Sequence, residues 1–152
     1  MPKTRWLSAA ERQAWRNFSL MQFQLSALLG RELAPSGLSF QDYSVLAALS
    51  DEPDGQMRLV ELGRGLGWEK SRISHHITRM EQRGLVARVR CPSDRRGWFV
   101  TMTEDGRKTI ATAAPQHVAT VRRQFIDLIS AQQLATLDEI ARTVLDHLPH
   151  EG

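Results

Sequence analysis

The sequence predicts a mostly α fold with one small β hairpin, in a single domain. Three observations predict it. Apolar residues recur at three and four spacing through most of the 152 positions, which is the period of one helix face. Between 85 and 102 that period gives way to two short β-prone runs around the turn-rich stretch CPSDRRG. Helix caps, glycines and prolines fall where the patterns change.

Ser8 and Glu11 have capping-box spacing, and an apolar series through Trp15, Phe18, Met21, Leu25 and Leu28 follows. Pro35-Ser36-Gly37 ends this first helix. Ser39 caps a second, with Tyr43, Leu46 and Leu49 inward, and Pro53-Asp54-Gly55 is a turn signal. A short third helix carries Leu59, Leu62 and Leu66 and breaks at Gly67-Trp68. The fourth covers SRISHHITRMEQRGL, with Ile73, Ile77 and Met80 on one side and Arg72, His75, His76, Arg79 and Arg83 on the other; Gly84 ends it. Leu85–Arg90 and Trp98–Met102 read as the two strands of the hairpin. Thr103 can cap another helix, whose apolar positions are Val118, Val121, Phe125 and Leu128. Pro115 should kink that helix or mark its real start. Ser130 with Gln133 repeats the capping-box spacing before a last helix with Leu134, Leu137, Ala141, Val144 and Leu148.

A hydrophobic content of 41% with 24% charged residues is globular rather than disordered. The single cysteine, Cys91, cannot form an internal disulfide, which agrees with a reducing compartment. The opening MPKTRWLSAAERQAWRN lacks the apolar core and cleavage site of a secretory signal. No stretch approaches the ~20 apolar residues of a membrane span. A cytoplasmic protein without a membrane partner is expected. No nucleophile–base pair, carboxylate pair, glycine-rich phosphate loop or metal cluster stands out, so neither an enzyme nor a cofactor is expected. His75 and His76, about 100° apart on a helix, cannot chelate from one face.

Charge distribution narrows the class. Lys70 to Arg96 contains eight basic residues and two acidic ones, a net +6; the whole chain is +3, so the rest is −3. A one-signed block inside a folded domain points to a polyanion. Two helices, a tight turn, a basic helix and a basic hairpin come in the order of a winged helix-turn-helix. A helix of about 10–12 Å diameter fits a major groove about 12 Å wide. Lys70, Ser71, Arg72, Ser74, His75 and Arg79 are the expected groove-facing set. Arg72 is the best match to guanine O6 and N7. Arg95 and Arg96 at the hairpin tip would approach the minor groove, and Arg88 and Arg90 would contact phosphates. The competing expectation is an architectural protein that binds double-stranded DNA without sequence preference.

Three stretches, GLSFQDYSVLAALSD, RLVELGRGLGWEKSRISHHITRMEQRGLVARV and CPSDRRGWFVTMTEDG, resemble the MarR family of bacterial regulators. The most specific signature is Asp94-Arg95-Arg96 followed by a strand and then Thr103-x-x-Gly106. The resemblance implies dimerisation helices at about 8–34 and 104–148 around a winged helix-turn-helix at about 39–102. It also implies a homodimer on a pseudo-palindromic operator and, usually, repression. Ser71, Arg72, Ser74 and His75 fall on the family's groove-facing positions and Arg96 on its wing arginine. Many relatives take small aromatic or phenolic anions between the dimer helices and the DNA-binding lobe. Trp15, Phe18 and Tyr43 would line that pocket here, with Arg16 or His117 as a polar contact. Ser44 after Tyr43 argues against urate, and the first helix lacks the peroxide-sensing cysteine of some members. The residues themselves also favour a dimer. Phe18, Leu25, Val121, Phe125, Leu137, Val144 and Leu148 exceed what a small winged core can bury, unless the terminal helices pack only on each other.

Overall fold

The computed structural model describes residues 1–93 and 95–149. Asp94 of the wing signature and His150 lie outside the described residues. Six α-helices and three short strands follow in the order α1 (Ala9–Leu33), α2 (Phe40–Ser50), β1 (Gln56–Arg58), α3 (Leu59–Leu66), α4 (Lys70–Gln82), β2 (Val86–Arg90), β3 (Trp98–Met102), α5 (Glu104–Gln124) and α6 (Ala131–His147). Single 3₁₀ turns follow α1 at Ala34–Ser36 and α5 at Ile126–Leu128.

The caps explain the helix starts. Ser8, Ser39 and Ser130 each accept the N3 backbone N–H while the N3 side chain reaches back, with Glu11, Asp42 and Gln133 in that role. Each box satisfies two amide donors that the helix leaves orphaned. Gly37, Gly67 and Gly84 terminate elements at φ 75, 68 and 76°, a region costly for residues with a Cβ.

The sheet is larger than a hairpin. β3 pairs antiparallel with β2 from Val86↔Met102 to Arg90↔Trp98, and also with β1, through Gln56↔Thr101, Met57↔Val100 and Arg58↔Phe99. The strand order is β1-β3-β2. Three residues are too few to show an alternation, so β1 left no periodic signal.

The core belongs to the middle of the chain. Val45, Leu46 and Leu49 of α2, Leu62 of α3, Ile73, Ile77 and Met80 of α4, and Val100 of β3 are all at most 1% exposed. Leu59 and Leu66 are only partly buried against them. α1 buries Leu29 and Leu33 alone, and α6 buries nothing. Trp15 and Phe23 of α1, Val118 of α5, Leu128 in the turn after it, Ile140, Val144 and Leu145 of α6, and Leu148 at its end are exposed apolar residues. Among the described residues, no helix is long and apolar enough to cross a membrane.

Pro115 does not mark a helix start. α5 begins at Glu104 under the Thr103 cap and continues through the proline to Gln124. An interior proline costs about 3 kcal/mol; burial of Ile110, Ala113 and Thr120 on either side of it offsets that cost.

The corner between β2 and α5 is tightly built. Thr103 Oγ1 accepts the Gly106 N–H at 3.0 Å and donates to the Gly84 carbonyl at 2.6 Å, while the Thr103 N–H donates to the Leu85 carbonyl at 3.2 Å. A Cβ on Gly106 would collide with that same Leu85 carbonyl oxygen. Alanine normally stabilises a helix relative to glycine by about 1 kcal/mol. Here the sign should reverse: Gly106→Ala should destabilise by about 1–3 kcal/mol, measured by urea denaturation. A neutral or stabilised variant would show that the corner yields more easily than its geometry suggests.

Candidate nucleic-acid interface

Burial of Ile73, Ile77 and Met80 fixes the roll of α4 about its axis. It leaves Lys70, Ser71, Arg72, His75 and Arg79 exposed on the outer face, with Ser74 half-buried beside them. The helix starts immediately after the left-handed Gly67, and its N-cap, Glu69, makes no side-chain capping bond. The Arg72 guanidinium carbon sits 4.5 Å from the centre of the Trp68 ring, within cation–π range.

His76 and Arg83 depart from the expected outer face. They follow the inward residues at three spacing, in the series 73, 76, 80, 83, and so border the apolar stripe. His76 Nε2 lies 2.9 Å from Asp42 Oδ1, and Arg83 Nη1 lies 2.8 Å from Asp42 Oδ2. Arg83 also donates to the Gly37 carbonyl. The Asp42 side chain is 6% exposed. Burial alone would raise its pKa, but the His76 contact, the Ser39 backbone N–H and Arg83 outweigh burial and hold it well below the usual carboxylate range. Asp42 joins the α2 cap to α4, a role the sequence reading missed. Its N3 position after Ser39 was the available signal.

Arg88 is also corrected. Its guanidinium turns inward: Nη1 donates to Glu81 Oε1 at 2.6 Å and Thr78 Oγ1 at 3.0 Å, and Nη2 to the Ser74 carbonyl at 2.6 Å and Ser74 Oγ at 3.1 Å. Glu81 Oε2 accepts the Arg88 backbone N–H as well. Arg88 therefore braces β2 against α4 instead of projecting towards a phosphate, because Glu81 supplies the opposite charge locally. Arg90 stays exposed, stacked 4.3 Å from the Trp98 ring centre and donating to the Arg95 carbonyl. Arg95 and Arg96 are exposed at the hairpin tip.

A cleft of about 400 Å³ separates the start of α4 from the wing. Four cations line it, namely Arg58, Arg64, Lys70 and Arg96, against one anion, Glu69. Neither Arg58 nor Arg64 belongs to the expected contact set, because both precede the basic block that begins at Lys70. Arg58 Nη2 lies 3.4 Å from both Cys91 Sγ and Ser93 Oγ. Cys91 is 4% exposed, consistent with a structural thiol.

The expected effector residues do not form one group. Trp15 and Phe18 lie together on α1 with ring centres 5.9 Å apart, both exposed, and Arg16 is exposed between them. Tyr43 packs instead on His117 of α5, with centres 4.1 Å apart. Burial pushes the Tyr43 hydroxyl up and the His117 imidazole down. His117 Nδ1 is buried with no hydrogen-bond partner among the described residues.

Comparisons with known proteins agree with this geometry. A family model described as "MarR family" matches residues 36–97, the span from the start of α2 to the wing. The transcriptional regulator HosA of Escherichia coli O111:H- is 30% identical over 110 residues, covering 72% of this chain and 78% of HosA. The crystal structure of AbsC, a MarR family transcriptional regulator from Streptomyces coelicolor, superimposes with a TM-score of 0.90 at 43% identity, over 95% of this chain and 97% of AbsC. Sco3205, a MarR family transcriptional regulator from the same organism solved in complex with DNA, gives 0.91 at 35% identity, over 96% of this chain and 92% of its own.

Proposed function

The chain belongs to the MarR family of transcriptional regulators, and from that premise we propose that it is a cytoplasmic, sequence-specific repressor, not an enzyme, that binds a pseudo-palindromic operator as a homodimer. The observation that carries this reading is the outer face of α4. It is basic, exposed and fixed in roll by three buried apolar residues. Among the described residues Arg72 has no carboxylate partner, so its donors remain available to a base edge. Lys70, Ser71, Arg72, Ser74, His75 and Arg79 would enter the major groove. Arg95 and Arg96 would meet the adjacent minor groove, and Arg90 a phosphate. Arg58 and Arg64 add positive potential between them.

The homodimer is supported by the apolar residues that α1, α5 and α6 leave exposed. Large apolar side chains left exposed along terminal helices are the kind of surface that interfaces cover, and two-fold dimers are the commonest assembly. Release by a small aromatic anion is supported by Tyr43 and His117, a half-buried aromatic face beside a nitrogen lacking a hydrogen-bond partner among the described residues. Trp15 and Phe18 would belong to such a site only if the partner's helices close over them.

The test is affinity for an inverted repeat from the DNA beside its gene, against random duplex at the same salt. A specific regulator should prefer the repeat by ~10³-fold or more. Arg72→Ala should reduce that preference by about 1–3 kcal/mol per half-site and leave random-DNA binding nearly unchanged. Equal binding of repeat and random DNA by the parent would instead establish the architectural alternative.

A further inference from the structure

The preceding reading gives α4 the task of discriminating bases, and it leaves Trp68 without a role. We propose that Trp68 is a positioning residue for sequence reading: its indole face holds the Arg72 guanidinium in the orientation from which it meets a base edge. The inference rests on α4 reading DNA through Arg72, and it concerns a residue that itself needs no contact with DNA.

Three observations carry it. Trp68 lies four residues before Arg72, and the guanidinium carbon is 4.5 Å from the ring centre. A stacked guanidinium has its face covered and its in-plane N–H donors directed outward, the edge a bidentate contact requires. The ring itself is held in place. Trp68 is partly buried against the core, and His76 meets it edge-on at 5.1 Å and 71°. His76 is in turn fixed 2.9 Å from the buried Asp42. An unbroken series of contacts thus runs from a buried carboxylate to the exposed fork of Arg72.

The alternative geometry for Arg72 is close at hand. Glu69 stands three residues earlier, at a spacing where helix side chains pair. A fork drawn to Glu69 would present its donors to a carboxylate rather than to DNA. Among the described residues the arginine takes the ring instead. Restricting a long side chain before binding also lowers the ordering cost at the interface.

The experiment compares the full-length parent, Trp68→Leu, Trp68→Phe, Arg72→Ala and the Trp68→Leu/Arg72→Ala double variant. Two readouts are taken. The first is the ring-current shift of the Arg72 δ-methylene protons in the DNA-free protein. The second is the ratio of operator affinity to affinity for single-base operator variants, with the salt slope on random DNA as a control. Trp68→Leu should abolish the ring-current shift and lower discrimination roughly three- to tenfold per half-site, the range of an exposed to partly desolvated cation–π contact. The random-DNA salt slope should not change. Trp68→Phe keeps a weaker face and should fall between parent and leucine variant; it carries the test if the leucine variant does not fold. In the Arg72→Ala background, Trp68→Leu should have no further effect on discrimination.

Absence of the ring-current shift in the parent overturns the proposal. So does a leucine variant that discriminates like the parent. A leucine variant that loses operator and random-DNA binding in equal proportion, without intermediate behaviour from phenylalanine, would mark Trp68 as purely structural. If the shift is present but Arg72→Ala leaves discrimination intact, the failure lies in the assignment of Arg72 to base reading, and the role of Trp68 falls with it.

Discussion

Asp42→Ala should destabilise the protein by about 3 kcal/mol, because it uncaps α2 and leaves the polar groups that met the buried carboxylate without their partner. Natural domains are stable by only about 5–15 kcal/mol, so this single change removes a large share. The carboxylate accepts from Arg83 at 2.8 Å and from the Ser39 N–H at 2.9 Å through Oδ2, and its Oδ1 lies 2.9 Å from His76 Nε2. Its loss uncaps α2 and leaves His76 without its carboxylate in a site where the imidazole is 12% exposed. Arg83 is 41% exposed and can recover water, which keeps the estimate at the lower end for buried pairs. The pH dependence follows from the depressed pKa of Asp42 in the folded state. An unfolded aspartate titrates near 3.9. A carboxylate held below that value contributes stability that is complete above about pH 4 and is lost as pH falls towards the folded pKa. Urea denaturation of the parent should therefore show stability falling below about pH 4, and Asp42→Ala should flatten that fall. A variant within 0.5 kcal/mol of the parent at neutral pH, with an unchanged acid limb, would remove Asp42 from its place at the centre of the lobe.

Inserting about five base pairs between the operator half-sites should abolish specific binding, a loss of ~10³-fold. Two copies of α4 related by a two-fold axis can engage one face of a duplex only when the half-sites lie about one helical turn apart, roughly 34–36 Å. Half a turn of extra DNA carries one half-site to the opposite face. Random-DNA binding, which depends on phosphate contacts, should not change. Insertion of about ten base pairs is an informative companion, since it restores the face but not the distance. Quantitative band-shift titrations of the three duplexes measure the effect. Full affinity on the five-base-pair insertion would show that each recognition helix acts independently of a partner, and the homodimer reading would have to be abandoned.

The helices were legible because each carries its own local signals. Ser8 with Glu11 and Ser130 with Gln133 are capping boxes within four residues, and both form. Ile73, Ile77 and Met80 were assigned inward from spacing alone and are buried. What spacing did not reveal depends on contacts between separate elements. Arg88 turns inward because Glu81 and the Ser74 carbonyl lie beside it in three dimensions. Arg83 is 41 residues from Asp42, and no local pattern pairs them. β1 owes its existence to β3, more than forty positions later. Tyr43 and Trp15 share an aromatic character, yet α2 and α1 place them in different surroundings. The basic character of the interface was apparent from composition, but the division between outward-facing and bracing arginines required the fold.

The Thr103 corner has a mechanical consequence. Backbone and side-chain bonds tie the start of α5 to the end of α4 and the start of β2, and the Gly106 contact leaves no slack between them. α5 has 21 residues, which at 1.5 Å each makes a rod about 31 Å long. A rod clamped at one end behaves as a lever. A tilt of about 6° displaces the far end by about 3 Å over that length, close to the length of one hydrogen bond. Whatever reorients α5 relative to α1 must carry the sheet and the foot of α4 with it as one piece. The lobe is thereby geared to its outer helices, and small angular errors at one end are read as misplacement at the other.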